Sequence, residues 1–311
     1  MTPPPPHNSR ERLRQKWHHN VDKFRYRLAH HDALPQLTLL GLLSGVLAAL
    51  VIVAFRLLVD WPLSSALPVH SENFEDLPTY LRFALPLAGA IVIGVMIQSL
   101  DKRHHSISVG HVLDRLHNHQ GQMPLTNIVV QFFGGILSLI SGQSVGREGP
   151  AVHLGAGTAS QLGQFLKLPN NSLRTLSGCG VAAAIAASFN TPMAGVIFAM
   201  EVVLMEYTIA GFIPVILASV SGAAISQLVF GESNVLSSGD IQMSSLWELP
   251  YFVFGGLVIA TCAAIYIRMQ LHFQSYQRFP ALPRLALAGL VTGSVAVFVP
   301  QVMGLGYDTV A

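Results

Sequence analysis

The sequence predicts an all-α polytopic membrane protein. Hydrophobic residues make up 51% of its 311 residues and charged residues 11%, whereas a soluble globular chain carries about 25% charged residues. The 18 basic and 16 acidic residues are too few to form the polar surface of a soluble domain of this size. Apolar runs without charge recur along the chain. The hydrophobicity excludes a disordered chain, and a net charge of +2 excludes a strongly basic nucleic-acid-binding surface.

A basic leader, residues 1–34, precedes the first apolar run. It holds seven Lys and Arg residues against three acidic ones, which predicts a cytoplasmic N-terminus by the positive-inside rule. Residues 9–31 carry apolar side chains at helical spacing after a run of prolines. An amphipathic helix on the inner leaflet is favoured over a solvated basic segment, because Trp17 and Phe24 share a face edged by basic residues. No cleaved signal peptide is recognisable.

Eight charge-free runs follow and predict membrane helices, since a span needs about 20 apolar residues. Some are short or interrupted: the run 149–166 is rich in glycine, and the run 175–200 breaks at Asn190-Thr191-Pro192. Half-helices that face a bound anion would explain such segments, and so would close packing of helices through small residues. The runs are 36–55, 83–100, 125–146, 149–166, 175–200, 207–231, 249–267 and 285–307.

An isolated Arg-Glu pair in the motif Gly146-Arg147-Glu148-Gly149-Pro150 is the candidate functional site. Pro150 suits the first turn of a helix, which places Glu148 at the N-terminus, where free N–H groups stabilise a carboxylate. A bound anion would favour the same position, so this carboxylate can compete with it and leave when protonated or displaced. The alternative is a loop whose Arg-Glu pair faces water. Arg147 would either pair with a carboxylate or attract anions.

Three motifs resemble, in order and spacing, those of the ClC family of chloride channels and chloride/proton antiporters. They are Phe132-Phe133-Gly134-Gly135, the motif around Glu148, and an F-N-x-P-x-A-G-x-x-F-x-x-E pattern over residues 189–201. The resemblance covers roughly residue 37 onward. It implies a fold of two inverted repeats with broken, tilted helices, and a homodimer with one anion pathway in each subunit.

The resemblance also assigns roles to residues. Glu148 would be the gating glutamate, and the backbone of residues 149–152 would help to bind chloride or a similar anion. It implies no cofactor, metal, nucleotide or nucleic acid, and a transporter rather than an enzyme. The multi-pass chain would lie in lipid, and a bacterial inner membrane fits its short leader. The candidate anion-binding residues are Gly146, Arg147, Gly149, Pro150, Ala151, Val152, Ser106, Ile107 and Ser108.

Two departures from the family pattern concern chemistry. Where the family has G-S-G-I-P, with a serine that helps to hold the anion, this chain has Ser106-Ile107-Ser108-Val109-Gly110. Ile107 falls at the serine position, although either neighbouring serine could substitute after a small shift.

The second departure lies after the F-N-x-P segment. Where antiporters of the family have two successive glutamates, the chain has Glu201-Val202, and valine cannot carry a proton. This favours a channel over an antiporter, although water or another acid such as Glu206 could carry the proton. Glu201 itself is expected to have a structural role at the end of a helix.

A third departure concerns length. Residues 35–248 correspond to the first repeat and residues 249–311 to the opening of the second, so we expect a fold that is truncated in the second repeat. A non-conducting scaffold is one remote alternative. Another is an intramembrane hydrolase that uses Ser144 with His153.

The histidines between residues 104 and 119 match no standard metal-ligand spacing and predict an interfacial loop, and Asp60 is interpreted as an ordinary charge flanking a span. Cys179 and Cys262 lie in apolar stretches and indicate neither a disulfide framework nor a zinc site.

Overall fold

The computed structural model describes residues 34–66, 74–101, 104–231, 245, 247–274 and 279–306. The predicted leader helix lies outside the described residues. Within them the chain is helical and forms no strand, as the sequence predicted. The α-helices are α1 (Leu34–Ala66), α2 (Thr79–Gln98), α3 (Ser108–Asn118), α4 (Leu125–Ile140), α5 (Glu148–Phe165), α6 (Asn170–Phe189), α7 (Pro192–Phe198), α8 (Ile209–Phe230), α9 (Glu248–Gln274) and α10 (Ala281–Phe298).

Six of these helices are long and apolar enough to cross a membrane: α1, α2, α6, α8, α9 and α10. Helices α4 and α7 are apolar but shorter. Each of the eight charge-free runs overlaps at least one helix. The chain is a multi-pass integral membrane protein. The predicted division into residues 35–248 and 249–311 stays a prediction.

The predicted break between α6 and α7 is confirmed. Helix α6 ends at Phe189, and Asn190 takes a left-handed conformation with φ 56° and ψ 34°. Helix α7 then begins at Pro192, which needs no N–H partner in a first turn. A six-residue π-helix, Ala199–Leu204, continues α7 and is followed by Met205, which is again left-handed.

The stretch that contains five histidines is partly a helix, so the interfacial-loop prediction is wrong for residues 108–118. Helix α3 buries His111, Val112 and Leu116 and exposes Asp114, His117 and Asn118. Apolar residues one turn apart with polar residues between them form an amphipathic helix. The helix is only 11 residues long, so it does not stand out as an apolar run.

The described residues form two compact units. The first contains α1, α3 to α8 and the π-helix, and the second contains α2, α9, α10 and residues 141–144. In the first unit α6 is central: it packs against α1, α5, α7 and α8, and residues 176–188 are all buried. Gly155 of α5 and Gly180 of α6 lie so close that a Cβ on either would collide with the carbonyl oxygen of the other. Only glycine allows this close crossing.

In the second unit α2 packs against α10, and Gly289 and Gly293 lie against the backbone of α2. Residues 141–144, which connect α4 to α5 along the chain, also belong to this unit, where the Gln143 amide donates to the carbonyl oxygen of Pro86. Helix α9 exposes its apolar side chains within the described residues. The candidate site lies in the first unit.

Candidate functional site

Glu148 is the first residue of α5, as the motif predicted. Its carboxylate folds back over Gly146, where a Cβ would collide with Oε2 of Glu148. Glu148 is exposed, whereas Arg147 is buried with 8% of its surface accessible. The carboxylate therefore lies at the helix end, above a glycine that leaves room for it.

The backbone at the start of α5 narrows the set of amides that can meet an anion. Pro150 has no N–H, and the N–H of Ala151 donates to the carbonyl oxygen of Arg147 at 3.0 Å. The first N–H groups of a helix have no acceptor within the helix. Among the amides predicted to bind an anion, the N–H of Gly149 is thus the best placed to donate to it, whereas the N–H of Val152 belongs to the hydrogen-bonding ladder of the helix.

A second helix begins beside the N-terminus of α5. Helix α3 starts at Ser108, whose Oγ lies 2.9 Å from the position that a Cβ on Gly149 would occupy. The N–H of Ser108 donates to Oε1 of Gln131 on α4 at 2.8 Å. The Ser108 hydroxyl therefore adjoins the backbone of the residue that follows Glu148.

The structure distinguishes the three residues predicted around the missing serine. Ile107 is extended, with φ −138° and ψ 179°, and its side chain has no polar atom. Ser106 is exposed, and its carbonyl accepts a hydrogen bond from Asn127. Ser108 has φ 71°, in the region that favours glycine, and the family pattern has glycine at this position. The alignment that places Ile107 at the family's serine therefore fits this backbone conformation. Ser108 nevertheless contributes a hydroxyl at the start of α3.

Helices α3 and α5 also meet one turn further on, at two histidines. Nδ1 of His111 lies 2.8 Å from Nε2 of His153, and the rings stack with centroids 5.1 Å apart. Since Ser108 meets Gly149 and His111 meets His153, the two helices run in the same direction here. Their N-terminal ends adjoin, so the positive ends of two helix dipoles coincide beside Glu148.

Three charged residues lie near one another on α1 and at the start of α5. Asp60 interacts electrostatically with Arg147 and Arg56. The Arg56 guanidinium donates to the carbonyl of Ala187 and to the Ser226 hydroxyl, both at 3.2 Å, and it stacks on Phe230 with 3.8 Å between Cζ and the ring centroid.

Asp60 is therefore not an ordinary flanking charge, and that interpretation is corrected. It is half-buried within α1 and interacts electrostatically with both guanidinium groups. Its spacing of four residues from Arg56 places both on one face of the helix. This spacing was the sequence signal for the cluster.

The residues considered for a proton path lie around the π-helix. Glu201 is exposed, and Val202 packs against the hydrophobic core of the first unit. Glu206 follows the left-handed Met205 and so lies beyond the end of the π-helix, not one turn further along it. Its carboxylate pairs with Arg174 at 3.8 Å. Among the described residues, no three His, Cys, Asp or Glu side chains come together as a metal site.

Comparison with known proteins agrees with the resemblance seen in the motifs. The family model described as voltage gated chloride channel matches residues 88–311. The putative chloride channel protein ClcB-like of Ralstonia nicotianae is 30% identical over 279 residues, which cover 86% of this chain and 65% of that protein. The voltage-gated ClC-type chloride channel ClcB of Escherichia coli O81 (strain ED1a) is 27% identical over 287 residues, 88% of this chain and 67% of that protein. The chain thus spans about two thirds of the length of these curated relatives.

Solved structures show the same fold. The crystal structure of a CLC-type fluoride/proton antiporter has a TM-score of 0.72 and 28% identity, and the match covers 90% of this chain and 69% of that one. A slow cyanobacterial Cl⁻/H⁺ antiporter has a TM-score of 0.67 and 21% identity over 90% of this chain and 67% of that one. At 21% identity this second likeness bears on the fold alone.

Proposed function

Because the chain belongs to the ClC family, whose model is that of voltage gated chloride channels, we propose that it transports chloride across the membrane along a pathway gated by the carboxylate of Glu148. One observation carries the proposal: the Glu148 carboxylate lies at the point where the N-termini of α3 and α5 adjoin. Glu148 supplies the negative charge that a chloride ion would replace.

The mechanism follows from the groups at this point. Chloride exchanges water for the N–H of Gly149, the hydroxyl of Ser108 and the positive ends of two helix dipoles. The ionised Glu148 carboxylate competes for the same groups because it carries the same charge. Protonation removes that charge, and the side chain then leaves the position to chloride. The space above Gly146 allows the carboxylate to rest there in the closed state.

A passive channel is the form of transport that we propose. Val202 stands where an exchanger would need a proton acceptor and packs in the core, and Glu206 pairs with Arg174 outside the helix. A chloride/proton antiporter is the second candidate, because the solved structure that is 28% identical to this chain is that of a fluoride/proton antiporter. An intramembrane hydrolase is disfavoured because Nε2 of its required base, His153, already bonds to His111.

The cellular setting is part of the proposal. A cytoplasmic N-terminus is supported by the basic residues of the leader, and a bacterial inner membrane by the two bacterial relatives. The homodimer is proposed from membership of the ClC family. Gating by voltage is supported by the name of the Escherichia coli relative.

Two recordings on proteoliposomes test the proposal. Chloride efflux after addition of a potassium ionophore should exceed that of empty liposomes, and its absence would favour a non-conducting scaffold. The reversal potential is then measured under a proton gradient. A potential that follows the chloride gradient alone indicates a channel, whereas a shift with pH indicates an antiporter. Fluoride measured in parallel tests the choice of anion.

A further inference from the structure

We propose that the His111–His153 pair is a proton-binding site coupled to the anion site, so that a proton on the pair strengthens anion binding and a bound anion strengthens proton binding. This inference rests on the proposed function, because it assigns a regulatory site to the same anion position. The gating role of Glu148 does not use either histidine. Both are buried, His153 completely and His111 to 8% exposure.

One of the two ring nitrogens outside the His111–His153 hydrogen bond is buried without a partner. Nδ1 of His153 is buried and has no hydrogen-bond partner. If His111 donated to His153, the neutral His153 would carry its own proton on that buried nitrogen, as an N–H without an acceptor. The arrangement in which His153 donates through Nε2 to Nδ1 of His111 leaves Nδ1 of His153 as a bare lone pair instead. The second arrangement has the lower cost, because no N–H is buried without an acceptor.

The pair can take up one proton from water without breaking its bond. The proton adds to the bare nitrogen of His153, which becomes an imidazolium and still donates through Nε2 to neutral His111. A hydrogen bond from a charged donor is stronger than one between neutral rings. The new positive charge is buried, which is unfavourable unless a negative charge lies nearby. The proposed chloride supplies that charge.

The distances place the pair close behind the anion site. His111 follows Ser108 by three residues and His153 follows Glu148 by five, which correspond to about 4.5 Å and 7.5 Å of helical rise. Two opposite unit charges about 8 Å apart, at an effective dielectric constant of about 20, attract each other strongly enough that each raises the binding affinity of the other at least tenfold. Linkage requires the same factor in both directions: chloride binds about tenfold more tightly to the protonated pair, and the proton binds about tenfold more tightly when chloride is present.

The charges around the pair are compatible with this coupling. On α3, His111 interacts electrostatically with Arg115, Asp114 and His119, and the hydrogen bond from Asn118 lowers the pKa of the Asp114 carboxyl. Helix α4, which packs against α5, has no ionisable side chain. The other elements packed against α3 or α5 carry these ionisable side chains: Arg56 and Asp60 on α1, Arg174 and Cys179 on α6, and Glu201 on the π-helix. None of these contributes to the electrostatic interactions of the two histidines.

Calorimetric titration of chloride into the purified chain tests the inference. The measurement uses Glu148→Gln as the background, because the Glu148 carboxylate is proposed to compete with chloride and would add a pH dependence of its own. Burial disfavours the charged form of both rings, which moves proton uptake to pH values below the ordinary histidine range. We therefore expect chloride affinity to rise severalfold between pH 8 and pH 3.5. Repeating the titration in buffers with different heats of ionisation should show net proton uptake on chloride binding.

Two further variants test whether His153 holds the proton that is coupled to chloride binding. His153→Gln keeps an amide that can donate to His111 but cannot hold a proton, and it should abolish the pH-dependent part of the affinity and the proton uptake. His117→Gln removes an exposed histidine of the same helix, whose Nδ1 lies 2.8 Å from the carbonyl oxygen of Leu113, and should leave both unchanged. Elution of each variant as a single species in detergent checks that it is folded.

The chloride titrations can contradict the inference alone or the proposed function with it. Chloride binding with equal affinity at both pH values, or a pH dependence that survives His153→Gln, overturns this inference alone. No chloride binding at either pH overturns the proposed function and this inference with it.

Discussion

The carboxylate of Glu148 fills the space in which a side chain on Gly146 would lie. The glycine two residues before the proposed gate therefore provides the position in which the carboxylate rests. The Gly-Arg-Glu-Gly-Pro sequence combines this space with a helix that begins at Glu148 and with a glycine that leaves room for the Ser108 hydroxyl. A mutation at any of these positions should change the gate in a specific way.

Replacing Gly146 by alanine should displace the Glu148 carboxylate and open the gate. The new methyl group and Oε2 cannot occupy the same place. We expect a higher chloride efflux rate at neutral pH and a weaker response to acid. Gly110→Ala on α3 is the matched control, because a Cβ there meets no atom within 4 Å. Unchanged efflux in Gly146→Ala would show that the carboxylate rests elsewhere.

Replacing Ser108 separates the hydroxyl group from the backbone strain. Ser108→Ala and Ser108→Gly both remove Oγ and should weaken chloride binding about tenfold, the usual effect of one hydrogen bond to a charged group. Their stabilities should differ, because φ is 71°: glycine should stabilise the fold by ~1 kcal/mol, whereas alanine keeps the strain. Calorimetry and thermal unfolding in detergent measure the two effects. Ser106→Ala, at an exposed position, should change neither, and wild-type chloride affinity in Ser108→Ala would remove Ser108 from the site.

Replacing Asp60 by asparagine should raise chloride flux at low ionic strength. Asp60 offsets part of the positive charge of Arg147 and Arg56, and its neutralisation leaves more of that charge to attract anions. Arg147→Gln should have the opposite effect. Both effects should diminish at 1 M salt, where screening acts within about 3 Å. A flux in Asp60→Asn that stays at the wild-type level across the salt series would show that Asp60 has no part in anion entry.

Replacing Gly180 by alanine should destabilise the first unit by about 1–3 kcal/mol, the usual cost of overpacking a core. The added methyl group would collide with the carbonyl oxygen of Gly155 and force α5 and α6 apart. Gly256→Ala on α9 is the control, since a Cβ there has no neighbour within 4 Å. The two apparent melting temperatures should differ by several degrees, and equal values would contradict the close crossing.

Much of the fold could be predicted because membrane helices are defined by local properties. Charge-free runs and the prolines and glycines that interrupt them are visible in the sequence. The start of α5 at Glu148 and the break at Asn190 were predicted from the residue types alone.

The rest of the site depends on which helices meet. His111 and His153 are 42 residues apart, and nothing in their spacing indicates that α3 and α5 run side by side. The left-handed backbone of Ser108 and its contact with Gly149 follow from the same packing. Helix α3 was missed because it is short and not an apolar run, although Val109, Val112 and Leu116 stand at helical spacing in the sequence.

The central claim is that the Glu148 carboxylate closes an anion pathway, and chloride efflux from liposomes that contain Glu148→Gln tests it most directly. Glutamine has nearly the same shape as glutamate but lacks the charge that competes with chloride. The variant should therefore release chloride faster than the wild type at neutral pH and respond less to acid. Equal efflux from the two proteins at neutral pH, with equal dependence on pH, would contradict the account.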